Sequence, residues 1–209
     1  MYGLTVMRTA NAGVLLELDG KRIFLDGVCE PLYPYLGTPN LVKEFLIKEM
    51  PDVLAFTHKH TDHYDINYEK TYKEKTLGTV LGPESLIFYE SNGLKISLVP
   101  TRHIGKTDIA HVSYVIKGSS TVWFMGDASP SCLNNLSGYD TPDLLIVPFG
   151  FAITPSAWRM AKETGAQRIL LVHMPLRKDD REGLFEMVET VTQNDPKLFS
   201  LDVGEKITL

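Results

Sequence analysis

His58-Lys59-His60-Thr61-Asp62-His63 places three imidazoles and a carboxylate within six residues. The chain has six histidines in 209 residues, and half of them fall in this hexapeptide. At the chain's own composition, random placement gives H-x-H-x-D-H in about 3 of 10,000 such chains. Neutral imidazole and carboxylate are the preferred side chains for zinc and similar divalent ions. A polar surface loop is the plainer reading of such a stretch, but it accounts poorly for the three histidines.

The hexapeptide alone would not complete a metal's shell. More candidates stand where other apolar runs end. Leu94–Pro100 leads to His103, Thr121–Gly126 to Asp127, and Arg168–Val172 to His173. Upstream, Arg22–Leu25 leads to Asp26. Taken singly, each has an ordinary explanation. A histidine after a strand is commonly a satisfied, half-buried side chain, and Gly126-Asp127 and Asp26-Gly27 are turn dipeptides. Taken together they point to one site, because ligands of α/β proteins bind outside the carboxyl ends of strands. His111 is the histidine outside this pattern. It opens the apolar run His111–Ile116 and is expected not to ligate. A strand-edge structural role or a substrate contact is left to it.

In their order, Asp26, His58-x-His60-x-Asp62-His63, His103, Asp127 and His173 resemble the metallo-β-lactamase-fold superfamily of metallo-hydrolases, over essentially the whole chain. Ala12–Glu17 with Gly20–Ile23, and Val147-Pro148-Phe149-Gly150 ahead of Val172-His173-Met174-Pro175, look most like the L-ascorbate-6-phosphate lactonase-like group. Two positions depart from the common pattern. Gly27-Val28-Cys29 follows Asp26 where many members have proline, and Asn11 stands where a histidine is common. The resemblance implies a four-layer αββα sandwich with the site at one edge of two sheets. It also implies two divalent ions, zinc first, with manganese or iron as alternatives. His58, His60 and His103 would hold one ion. Asp62, His63 and His173 would hold the other, with Asp127 bridging. Asp26 would stand behind a ligand histidine and fix its tautomer.

Two ions roughly 3.5–4 Å apart can hold a bridging hydroxide at neutral pH, a nucleophile that needs neither serine nor cysteine. The expected activity is hydrolysis of a small ester or lactone, with Asp62 and Asp127 as the catalytic carboxylates. Phosphodiester or RNA hydrolysis on the same fold is the main rival. Thioester hydrolysis of the glyoxalase II type would bring an added helical region, for which no room is expected after His173. Redox di-iron members of the superfamily usually have a carboxylate at the position of His60. A non-catalytic metal-binding protein would be expected to have lost a ligand.

Composition narrows the partners. Net charge is −5 with a pI of about 5.7, which gives no electrostatic footprint for nucleic acid. A small, anionic substrate is expected, with Arg102, Lys106 and His111 as candidate contacts, and a homo-oligomer is left open. No apolar run approaches the roughly 18 residues of a membrane span. The N-terminus has no basic stretch followed by a long apolar one. Cys29 and Cys132 lie far apart with no C-x-x-C pattern, so the expected setting is a reducing cytoplasm. Cys29 reads as a small buried residue near Asp26.

The elements that must position these groups follow from periodicity. One domain over 1–209 is expected. It opens with a meander, Leu4–Arg8, Gly13–Leu18 and Lys21–Asp26, whose Asp19-Gly20 is a two-residue hairpin signal. Residues 27–40 form a proline-stiffened loop whose Tyr33 and Tyr35 could wall the site. Leu41, Val42, Phe45 and Leu46 have helical spacing. Val53–Thr57 is a buried strand running into the hexapeptide, and Asp65 caps a helix from Ile66. Leu94–Pro100, His111–Lys117 and Thr121–Met125 belong to a second sheet. Strand Leu144–Val147 precedes a helix with Thr154 at its cap and Pro155 at its first position. Strand Arg168–Val172, a helix over about Asp179–Val191 and a strand near Lys206–Leu209 complete the reading.

Overall fold

A computed structural model describes residues 3–32, 35, 37–85, 88–105 and 108–209. Tyr33 and Lys106 lie outside the described residues.

Two mixed sheets face each other. The first runs β13-β1-β2-β3-β4-β5, with β1 (Thr5–Arg8), β2 (Val14–Leu18), β3 (Lys21–Leu25), β4 (Val53–Ala55), β5 (Thr79–Leu81) and β13 (Lys206–Thr208). The second runs β12-β11-β10-β9-β8-β7-β6. Its strands are β6 (Tyr89–Ser91), β7 (Leu94–Pro100), β8 (Val112–Lys117), β9 (Thr121–Phe124), β10 (Leu144–Pro148), β11 (Arg168–Val172) and β12 (Leu198–Ser200). The Asp19-Gly20 hairpin is present: both residues take positive φ (51° and 74°), and Leu18 pairs with Lys21. Such a turn suits the right-handed twist of its flanking strands.

Side chains of the two inner faces meet in one core. Leu16, Ile23, Leu25 and Ala55 come from the first sheet, and Ile96, Tyr114, Phe124, Ile146 and Leu170 from the second. The outer face of the first sheet buries Phe24 and Leu54 under α1 (Asn40–Lys48) and α2 (Ile66–Lys75), which contribute Leu46, Tyr68 and Tyr72. The outer face of the second buries Trp123, Leu145 and Leu171 under α3 (Gly150–Ile153), α4 (Pro155–Glu163) and α5 (Leu184–Thr192). This is the αββα sandwich that the family resemblance implied.

Parallel pairing aligns the strand ends that matter. Leu25 lies beside Ala55, so Asp26 and the residues after β4 leave the sheet together. Phe124 pairs with Ile146 and Pro148 with Val172, so the segments carrying Asp127 and His173 leave the second sheet at a common edge.

Some local expectations need correction. The helix expected from Asp179 begins five residues later. Arg177–Asp179 is a 3₁₀ turn, Gly183 adopts φ 67°, and the Asp180 carboxylate accepts the N–H groups of Leu184 and Phe185 at 2.9 Å. The cap, not the hydrophobic run, decides where this helix starts. Thr154 does occupy the cap position of α4, but its hydroxyl makes no capping bond. Strands β5, β6 and β12, the 3₁₀ segment Pro130–Leu136 and α3 carry too short a pattern to have been expected. Asp65 does cap α2, accepting from Asn67 N–H at 2.8 Å and Tyr68 N–H at 3.0 Å. No helix among the described residues is long and apolar enough to cross a membrane.

Candidate metal centre

The site is built outward from Asp26. This residue ends β3 with φ 48° and is fully buried. Its Oδ1 accepts the Thr57 backbone N–H at 2.8 Å, and its Oδ2 accepts the Thr57 hydroxyl at 2.7 Å. The same Oδ2 accepts Nδ1–H of His63 at 2.8 Å. A carboxylate only accepts, so the Thr57 proton points at Asp26. The hydroxyl's lone pair then receives Nδ1–H of His58 at 3.0 Å. Nδ1 of His103 donates to the Ile104 carbonyl at 2.6 Å. Three histidines thus have Nδ1 committed to the protein and turn Nε2 inward, an outer-shell arrangement typical of metal-ligating imidazoles.

These nitrogens converge. Ligand atoms of His58, His60 and His103 lie within 4.8 Å of one another, as do those of His58, His63 and Asp127, and those of Asp62, His63 and His173. Asp127 stands at the junction, its carboxylate 3.4 Å from His63 Nε2, 3.7 Å from His103 Nε2 and 3.2 Å from His173 Nε2. Nε2 of His58 and of His103 are buried with no hydrogen-bond partner among the described residues. Buried polar atoms without partners are costly, and two of them turned into a ring of imidazoles and carboxylates fit a cation. Every group in the implied ligand set is therefore at one place.

His173 holds a left-handed backbone, φ 62°. Its N–H donates to the Asn11 carbonyl at 3.0 Å, and its Nδ1 lies 3.0 Å from the Asn11 side-chain amide. Arg8 fastens this corner. Its buried guanidinium donates to the carbonyls of Ala10 (3.1 Å), Leu201 (3.0 Å), Asn11 (3.2 Å) and Met174. Burial lowers its pKa to about 10. Tyr35 sets its ring edge-on to the His173 imidazole, 4.7 Å between centroids.

Electrostatics favour positive charge here. Against the effect of burial, Asp127 and Asp26 hold His63 well above the usual imidazole range. Asp127 in turn lies well below the usual carboxylate range despite its burial, because of His63 and His173. Burial, reinforced by His63, drives His58 far down, so its ring is neutral. Three carboxylates, Asp26, Asp62 and Asp127, among buried imidazoles favour a cation, and either a proton on His63 or a divalent ion would serve.

Other expected positions fall elsewhere. The guanidinium of exposed Arg102 donates to Ser129 Oγ at 3.0 Å. His111 is buried beside the cluster, 5.2 Å from His58 by ring centroids, and burial lowers its pKa to about 3. Both its nitrogens are occupied, Nε2 by the Asp127 N–H at 3.1 Å and Nδ1 by Thr101 Oγ1 at 2.8 Å. Cys29 is buried, beside the Thr38 hydroxyl. Residue-by-residue reading passed over Arg8 and Thr57. Thr57 carried a usable signal, since it directly precedes the hexapeptide at a strand end. Arg8 carried none, because its partners are all main-chain carbonyls, two nearby at Ala10 and Asn11 and two distant at Met174 and Leu201.

The chain belongs to the beta-lactamase superfamily domain family, whose profile matches residues 8–173, and so to the metallo-hydrolases of metallo-β-lactamase fold. Several solved structures share the fold at full length. A "possible metal-dependent hydrolase" from Veillonella parvula superposes with a TM-score of 0.72 at 16% identity, covering 100% of both chains. Igni18, a metallo hydrolase from the hyperthermophilic archaeon Ignicoccus hospitalis, gives 0.70 at 16% identity over 100% of this chain and 99% of its own. The isothiocyanate hydrolase from Delia radicum gut bacteria gives 0.69 at 16% identity, covering 98% and 99%. Comparison with curated proteins returns no significant match.

Proposed function

We propose that the protein is a binuclear metal-dependent hydrolase of small esters or lactones, of the L-ascorbate-6-phosphate lactonase-like kind. The observation that carries this reading is the convergence of inward-facing Nε2 atoms, with Nδ1 of His58, His63 and His103 fixed from behind by Thr57, Asp26 and Ile104. His58, His60 and His103 would hold one ion, Asp62, His63 and His173 the other, and Asp127 both. Histidine-rich triads with carboxylates favour zinc, with manganese or iron as alternatives. When bound, the two ions would bring the pKa of water down to about 7, polarise the scissile carbonyl and attract an anionic group of the substrate.

The chain's own residues do the rest. Asp26 holds His63 and, through Thr57, His58, so that two ligands turn together. A cavity of about 550 Å³ opens beside His173, walled by Tyr35, Phe149, Met174 and Leu176. That is the size of a pocket for a small molecule, and its apolar walls would exclude water from the substrate body. Arg181 lies on its rim. Beside Asp179, Asp180 and Glu182 on that rim, it is the cation among the described lining residues left to meet a carboxylate or phosphate, since Arg8 is engaged by four carbonyls.

Elemental analysis of the purified, metal-loaded protein, followed by rates on lactones, phosphodiesters and thioesters, tests the reading. Two ions per chain and fastest turnover on lactones or simple esters are expected. Fast RNA cleavage with steep salt dependence and no lactone turnover would replace it with the nuclease alternative.

A further inference from the structure

His111 ends in a closed circuit of hydrogen bonds whose direction is fixed. The Asp127 N–H can only donate, so Nε2 of His111 accepts it at 3.1 Å and the ring proton resides on Nδ1. Nδ1–H donates to Thr101 Oγ1 at 2.8 Å. With that lone pair used, Thr101 Oγ1 turns its own proton to Ser113 Oγ at 3.1 Å, and Ser113 donates to the Met125 carbonyl at 3.1 Å. The circuit begins at Asp127 and returns to the chain at Met125. Between them lies Gly126, with φ 53°. The turn that carries the Asp127 carboxylate is thus gripped at both ends by side chains of β8 and of the connection from β7 to β8.

Backbone pairing holds only the carbonyl side of this turn: the Asp127 carbonyl accepts Ile104 N–H at 2.8 Å and the Met125 carbonyl accepts Ala128 N–H at 3.2 Å. The β9–β10 ladder ends at Phe124–Ile146, with one further bond from Met125 N–H to the Ile146 carbonyl. Beyond it, the Asp127 N–H has His111 as its acceptor. Taking the imidazole away leaves that donor unpaired beside a buried carboxylate and removes the anchor on the N–H side of Asp127, while its carbonyl keeps the bond from Ile104 N–H. We propose that His111 is a positioning residue for Asp127, setting the carboxylate between His103 on one side and His63 and His173 on the other, where it can serve both ion positions. This rests on the metal-centre reading above, in which Asp127 is a ligand.

The test uses zinc alone, titrated against a chromophoric chelator, together with the visible spectrum of the Co²⁺-loaded protein. His111→Ala is expected to weaken zinc about 10- to 100-fold at the position completed by Asp127 and to alter the cobalt bands. His111→Gln should recover most of the affinity, because its amide oxygen can accept from Asp127 N–H while its NH₂ donates to Thr101. Wild-type zinc affinity with an unchanged cobalt spectrum in His111→Ala would overturn the proposal. So would His111→Gln behaving no better than His111→Ala. If His111→Ala fails to fold, Thr101→Val replaces it: zinc weakened in the same direction supports the proposal, and unchanged zinc overturns it. A wild-type protein that takes up no zinc or cobalt at all would instead sink the metal-centre reading and this inference with it.

Discussion

Gly126→Ala should injure the protein well beyond the size of one methyl group. Gly126 has φ 53°, and a Cβ built there would lie 2.6 Å from both Oγ1 and Cγ2 of Thr57. Placing an alanine in the left-handed region costs roughly 1–2 kcal/mol. Overpacking a buried contact adds about 1–3 kcal/mol, and Thr57 cannot yield cheaply because it is fully buried and hydrogen-bonded to Asp26 and His58. A loss of about 3 kcal/mol corresponds to a fall in Tm of about 6–12 °C for a domain of this length. Any shift of Thr57 also moves His58 and Asp26, so zinc affinity should fall in the metal-binding titration as well. Gly138→Ala is the control: nothing lies within 4 Å of its Cβ position, and its effect should stay within about 0.5 kcal/mol. Thermal unfolding followed by circular dichroism, with chelator and with zinc, reads both variants. If Gly126→Ala melted with Gly138→Ala and bound zinc like the wild type, the packing of Thr57 against Gly126 would not be what holds the centre.

Asp127→Ala should abolish turnover with a modest effect on the fold, and near-normal rates in the purified variant would remove it from the centre. Asp65→Ala should cost about 1 kcal/mol as a lost cap, a drop of about 2–4 °C, with zinc binding unchanged; a change in zinc affinity would contradict its purely structural place at α2. His63 is held above the usual imidazole value of 6.5, so in the metal-free protein its charge contributes stability fully present below that value and lost as pH rises through the raised one. A metal must displace this proton, so zinc affinity should rise with pH through neutrality, and calorimetry in buffers of different ionisation heat should register proton release. Equal heats in all buffers at pH 7 would refute it. Tyr35→Ala should raise KM more than it lowers kcat, since the ring lines the cavity beside His173; an effect on kcat alone would remove it from substrate binding.

The fold and the centre were not equally legible in the chain. The residues that meet the centre were, because imidazoles and carboxylates at strand ends stand out against apolar runs. Asp26, His58, Asp127 and His173 follow such runs, and parallel register of β3 with β4 and of β10 with β9 and β11 brings those stops together; His103 follows β7, whose pairing is antiparallel. Long strands and hairpins were legible for the same reason. Three-residue edge strands such as β5 and β12 were not, since three positions cannot establish a period of two. The late start of α5 was hidden because it depends on the Asp180 cap and on Gly183, not on where the apolar residues begin. Arg8 and the grip of His111 on Asp127 were illegible in principle: both act on backbone atoms, and any residue can supply a carbonyl or an N–H.

The order in which the centre's groups occur along the chain has a bearing on synthesis. Residues 58–63 leave the ribosome together with β3 and β4 already made, whereas His103, Asp127 and His173 follow in later stretches and belong to the other sheet. A nascent chain can offer the hexapeptide to a cation long before it can close a shell around it. Capture must therefore wait for the two halves to dock, and a cation held by both halves then resists their separation. At a free metal concentration 1,000 times the dissociation constant, that resistance amounts to about 4 kcal/mol. Cells short of metal would then hold this protein in a form whose halves part more readily, and its lifetime would follow the metal supply.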